Sequence, residues 1–285
     1  MKRTFSSILS AMCAVILIAT MAGCKSGTTG GTAADTVTVD NITSWVQEAT
    51  PNLKTYVVNM DMTMGMKGEI GGEAGDITLS VAAEGSVDME QRKMGMNMTL
   101  DMSGTGGDQQ IDETMNALTY IVGDMMYVGT AAEGGDVQWQ SQIAPVSTWD
   151  QQNQLELQLK LFEGSQITSL RQETVDGVAC YRVEISPDLA TLWDMVGQQF
   201  GDATSGVDVA DLKDTIKTVS VRYWFAKDNL FMKKGFVHME MQLTAAQLGE
   251  EGPGSLDMTI EITMDFSKHN QPVTITVPAE ATAQQ

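Results

Sequence analysis

The chain places soft thioethers at every second residue in two stretches, Met60-Asp-Met62-Thr-Met64-Gly-Met66 and Met94-Gly-Met96-Asn-Met98. Thioether sulfur suits Cu(I) and can also absorb oxidants by becoming the sulfoxide. Alternate residues of a strand sit about 6.5 to 7 Å apart, so one ion would need sulfur from neighbouring strands. Nitrogen ligands could come only from His238 and His269. His238 alternates with Met239 and His269 shares a turn with Asn270, so a solvated surface position is expected for both. Enzyme signatures are missing: there is no Gly-x-Ser-x-Gly, no His-Glu-x-x-His, no lysine-bearing phosphate loop and no metal-type cysteine spacing. Gly68-Glu-Ile-Gly71-Gly72-Glu-Ala-Gly75 joins two strand patterns and reads as a hairpin loop, and Glu250-Glu251 belong to a solvated loop. These features predict a protein without catalysis, cofactor or dedicated metal; copper binding or oxidant buffering is the alternative.

The cysteines carry a different chemistry. Lys2 and Arg3 precede an apolar run, Ile8 to Met21, that is shorter than the roughly 20 residues of a membrane span. A basic start, a short apolar stretch and small residues before a cleavage point form a secretory signal pattern. Met21-Ala22-Gly23-Cys24 resembles the bacterial lipobox, in which the cysteine thiol takes a diacylglyceryl group and becomes the first residue. Residues 1–23 are then the signal peptide. Residues 24–39, rich in Gly, Ser, Thr and Ala, form a flexible tether, and 40–285 form the domain. Each buried methylene contributes about 0.8 kcal/mol, so two acyl chains hold where one would not. The expected location is the extracytoplasmic face of the cell membrane. Cys180, in Val-Ala-Cys-Tyr, is expected to be a small packed side chain.

Loss of Lys2 and Arg3 leaves 15 basic and 37 acidic residues, a net charge of −22. Such a surface repels nucleic acid and anionic headgroups. Neither is an expected partner.

The domain alternates apolar and polar residues. Tyr56 to Met66, Ile77 to Ala83, Met94 to Met102, Val219 to Ala226, Phe231 to Leu243 and Met258 to Phe266 each read as a strand with one buried side. Hairpins are expected at Gly123-Asp124, Asp176-Gly177 and Lys227-Asp228-Asn229. Asn41 to Ala49 has helical spacing and ends at Pro51. Ser186-Pro187-Asp188 is a cap, a first-turn proline and an acid, predicting a helix to Phe200. Ser147 to Phe162 fits a helix better than a strand, and Gly201 to Lys213 reads as an insertion. The expected fold class is α+β, mainly antiparallel β: a curved sheet whose apolar face is covered by two or three helices.

A helix leading into Leu53-Lys-Thr-Tyr56-Val-Val, a Trp193-bearing helix after the Asp176-Gly177 hairpin, and the ending Phe266-Ser-Lys-His-Asn-Gln-Pro272-Val-Thr-Ile-Thr-Val-Pro278-Ala-Glu-Ala281 together resemble the LolA/LppX-like lipoproteins, especially their Gram-positive relatives. The resemblance runs from about Asn41 to Ala281 and rests on element order and the terminal motif. It implies a half-barrel whose concave face holds acyl chains, with a lipid or other hydrophobic small molecule as partner. The expected lining is Tyr56, Val58, Met60, Met62, Met64, Met94, Met96, Met98, Met239, Met241, Ile260, Ile262 and Met264. Eighteen of the 21 methionines lie after Cys24. Methionine is flexible and polarizable and suits surfaces that accept varied partners. The same side chains equally suit a closed core.

Cys24→Ser is expected to abolish incorporation of labelled palmitate and to move the chain from membrane to soluble fractions. Labelling that persists in the variant would remove Cys24 as the anchor.

Overall fold

A computed structural model describes residues 36–70, 73–107, 109–144, 162, 165–187, 215–245, 247 and 253–283. The signal peptide, Cys24, most of the tether, the proposed helix beyond Pro187, all of 147–161, the 201–213 insertion and Glu250-Glu251 lie outside the described residues.

Among the described residues, eleven antiparallel strands form one sheet. Its first meander runs β1 (Thr55–Ile70), β2 (Glu73–Asp88), β3 (Lys93–Gly106), β4 (Gln109–Val122), β5 (Met125–Ala132) and β6 (Gln138–Ile143). The second runs β7 (Gln166–Val175), β8 (Val178–Ser186), β9 (Ile216–Ala226), β10 (Met232–Thr244) and β11 (Gly254–Ser267). The order is β6-β5-β4-β3-β2-β1-β11-β10-β9-β8-β7, so β1 and β11 join the meanders and the two edges stay apart. Among the described residues the helices are α1 (Ile42–Ala49) and the four-residue α2 (Ala279–Thr282), with a 3-10 turn at Thr50–Asn52. The fold is therefore nearly all antiparallel β in one open sheet. The α+β half-barrel with two or three closing helices is corrected accordingly. The sheet recruits more strand than the apolar alternation marks, since the mostly polar Gln109–Asp112 and Gln138–Ile143 are ordered by pairing with β3 and β5.

Register explains why strands this long hold together. A one-residue slip would move a whole side-chain set to the other face. Along β1 and β11, Met60 faces Met264, Met62 faces Ile262 and Met64 faces Ile260. The turns fix that register. At Asp176-Gly177 both residues have positive φ, 48° and 78°, as a two-residue hairpin of the favoured twist requires. At Gly123-Asp124 the glycine takes φ 60°. The Asp88 carboxylate accepts from the Gln91 amide at 2.8 Å, closing the β2–β3 turn.

Two clusters share one face. The larger centres on β1–β4, β10 and β11. The smaller joins Val183, Ile185, Val221, Tyr223 and Phe225 to Ile42 and Val46 of α1, with Phe162 set edge-on to Tyr223. Thus α1 does cover part of the apolar face, as its spacing predicted. Cys180 is fully buried, as a small packed side chain should be.

The opposite face carries the C-terminal segment as a strap. Asn270 pins its start: its amide donates to the Thr55 carbonyl, its Oδ1 accepts from the Lys54 amide, and its Nδ2 donates to the Asn52 carbonyl. Ile275 then crosses above Gly95, where a Cβ would lie 3.4 Å from it and 3.0 Å from Tyr120. Val277 and Ala281 pack with Tyr127 and Trp139. The terminal motif is thus a structural clasp over the sheet.

His269 sits in that clasp. Its ring lies 5.5 Å from Phe231, and its Nε2 is buried without a partner. The solvated position expected for it is corrected, because the turn that pins Asn270 folds His269 back onto Phe231.

Ile42 is wholly buried between α1 and the sheet. Ile42→Ala should cost about 2–5 kcal/mol, the usual range for such a truncation, read from urea unfolding. A cost within noise would mean that α1 does not pack on the sheet.

His269 should make the fold acid-sensitive. Burial, and secondarily the charge of Lys233, lower its pKa from 6.5 to about 4. The unfolded chain therefore takes up this proton first as pH falls, and its share of stability is lost between pH 6.5 and about 4. His269→Phe should narrow the difference in unfolding midpoint between pH 7 and pH 5; an unchanged difference would clear His269 of the effect.

Candidate functional site

All thirteen expected lining residues come together. Tyr56, Val58, Met60, Met62, Met64, Met94, Met96, Met98, Met241 and Met264 are buried members of the larger cluster, and Met239, Ile260 and Ile262 pack against it half-buried. Rows across the sheet show how. One runs Met98, Ala83, Met60, Met264 and Gly235, and the next Leu100, Val81, Met62, Ile262 and Val237. None is splayed into solvent: Met62 and Met241, the most accessible of the buried methionines, keep 7% of their surface.

The packing between rows depends on methionine and glycine together. The ε-methyl of Met96 lies over Gly85, where a Cβ would come within 2.8 Å. The ε-methyl of Met264 covers Gly235 at 2.9 Å in the same sense. An unbranched side chain can bend into such a notch, and can leave it again by rotating bonds.

This face opens at one end. A pocket of about 690 Å³ is lined by Leu79, Leu100, Met102, Asp112, Glu113, Thr114, Met115, Thr130 to Glu133, Asp136 and Gln138. Strand lengths create it. Pairing of β4 with β5 ends at Met115↔Ala132, so Gln109–Thr114 overhangs its neighbour while remaining paired with β3. Leu79 and Leu100 belong to the larger cluster and Met102 packs against it, so the pocket floor continues the methionine face. Met115 stands 38% exposed there.

Sequence reasoning missed this pocket. Its signal was Glu113, the one acid in the series Ile111, Glu113, Met115, Ala117, Thr119 and Ile121, whose members share the apolar face by register with β3.

His238 does point to the polar face, where Nδ1 lies 3.2 Å from Glu261 and Nε2 lies 3.5 Å from Glu240. Among the described residues no group of three or more His, Cys, Asp or Glu could hold a metal ion.

Residues 38–285 match a family described as a family of unknown function (DUF6612). The chain belongs to DUF6612. The match is to that family and not to the LolA/LppX-like lipoproteins. No curated protein matches this DUF6612 chain. Among solved structures it is similar to a DUF1329 family protein from Desulfovibrio piger, 13% identical over 84% of this chain and 95% of that one, with a TM-score of 0.25. It is also similar to a β-barrel-like protein of domain DUF1849 from Brucella abortus, 9% identical over 74% of this chain and 98% of that one, with a TM-score of 0.21.

Proposed function

We propose that this DUF6612 chain is a membrane-anchored, extracytoplasmic lipoprotein that binds a lipid or other hydrophobic molecule on its methionine face, as carrier or sensor, without catalysis. One observation carries the reading: a contiguous methionine-rich face runs without a break into an open pocket. The pocket volume of about 690 Å³ falls within the range of ordinary ligand sites. Lipid lying on Leu79, Leu100 and Met102 would extend inward as the neighbouring methionines change rotamer. Cys24 would hold the domain at the bilayer from which a guest is drawn.

The energetics favour transfer over storage. Burial contributes roughly 25 cal/mol per Å² removed from water. A bilayer interior is as apolar as the pocket, so a lipid gains little by moving between them.

A second reading is supported by one row. Met66, Met258 and Met241 lie side by side on β1, β11 and β10, which supplies the cross-strand thioethers that Cu(I) would need.

Native mass spectrometry of the gently purified chain separates the two. Co-purified lipid is expected, and Met102→Asp together with Met115→Asp should strip it. Both positions are at the pocket, where a carboxylate can reach water, so circular dichroism should stay unchanged. Lipid retained by the folded double variant would remove the pocket from the reading, while copper retained without lipid would favour the thioether row.

A further inference from the structure

The walls of the pocket differ from its floor. Around Leu79, Leu100, Met102 and Met115 stand four carboxylates, and among the described residues no Lys or Arg belongs to the lining. Asp112 and Glu113 lie on the overhanging end of β4. Glu133 and Asp136 lie in the β5–β6 connection, where Gly134 takes φ 68° and the Gly135 amide donates to the Ala132 carbonyl at 3.0 Å. The Glu133 amide donates to the Thr114 carbonyl at 3.2 Å, tying that connection to the overhang. The four acids thus reach one opening from two elements held together.

Several other acids on or beside this sheet have partners. Asp76 pairs with Lys67 at 2.9 Å, Asp257 with Lys217 at 3.0 Å and Glu90 with Lys54 at 2.6 Å. Among the described residues none of the four pocket acids is paired with a Lys or Arg. Glu113 also occupies an apolar-face position, directly opposite Met102. Like charges gathered over an apolar floor repel each other, and a cation placed among them relieves that repulsion while its alkyl chain covers the floor.

We propose that the pocket selects amphiphiles with a cationic head: an alkyl chain on Leu79, Leu100 and Met102, and an ammonium group among Asp112, Glu113, Glu133 and Asp136. This rests on the apolar-ligand reading above and adds the sign of the headgroup. Anionic amphiphiles are refused by the same four charges, and neutral ones bind through the chain alone.

Three probes with one chain length test this: dodecyltrimethylammonium, dodecyl maltoside and dodecyl sulfate, each below its micellar concentration. They are titrated calorimetrically into the full chain carrying Cys24→Ser. The cation should bind about tenfold more tightly than the maltoside, and the sulfate about tenfold more weakly, as expected for one or two charge-assisted contacts. Glu113→Gln with Asp136→Asn should bring the three within about threefold while maltoside binding persists. Asp61→Asn with Glu84→Gln removes two exposed acids from the opposite face and should leave the ranking untouched. Equal loss of preference in that control would reduce the effect to overall charge and overturn the proposal. Three probes binding alike to the parent chain would overturn it too, leaving the apolar-ligand reading standing. If no probe binds, both readings fall.

Discussion

Pairing of β1 with β11 is the constraint on which the molecule depends. It joins strands near opposite ends of the domain, from Val57↔Ser267 to Ile70↔Gly254, and converts two meanders into a single sheet. Without it, Met60, Met62 and Met64 would have apolar neighbours on one side only. With it, each apolar row crosses from β3 to β10 unbroken. The clasp at Asn270 reinforces this joint, since its hydrogen bonds fall on Asn52, Lys54 and Thr55 at the entry to β1.

Given that sheet, the choice of methionine over branched residues has consequences. Branched side chains lock their rotamers and reward one fixed packing. Here bent ε-methyls lie over Gly85 and Gly235. Each such contact is reversible by rotation about single bonds. Stability and adaptability then come from the same residues. The polar face is built differently, with short cross-strand ion pairs such as Lys67–Asp76 whose exposed groups contribute little each.

Much of this was legible in the chain itself. Strict alternation placed Tyr56 to Met66 and Met94 to Met102 correctly, and the Asp176-Gly177 and Gly123-Asp124 signals marked true turns, because period-two burial and positive-φ residues act locally. All thirteen expected lining residues share one cluster for the same reason. The overall class was misjudged because helix count says nothing about how many strands one sheet recruits. β6 and the first half of β4 escaped notice, since Gln109–Asp112 and Gln138–Ile143 are mostly polar and are ordered by their neighbours instead of by pattern. His269 escaped because its burial depends on Phe231, a residue distant in sequence. The pocket depends on unequal strand lengths, which no single strand reveals.

The overhang of β4 invites a simpler explanation of its acids. A free strand edge templates unwanted pairing, and charged side chains blunt it. Asp112 serves that purpose wherever it points. Glu113 does more than the purpose needs, because its register position opposite Met102 puts it on the apolar face. Edge protection also says nothing of Glu133 and Asp136, which lie outside any strand. Nor does it account for Met115, an exposed hydrophobic side chain kept beside them. An edge that only repelled its neighbours would have charge without an apolar floor, and an apolar floor that only packed would have no charge above it. Their coincidence at this end of the methionine face is what a two-part guest, greasy along its length and positive at its tip, would require.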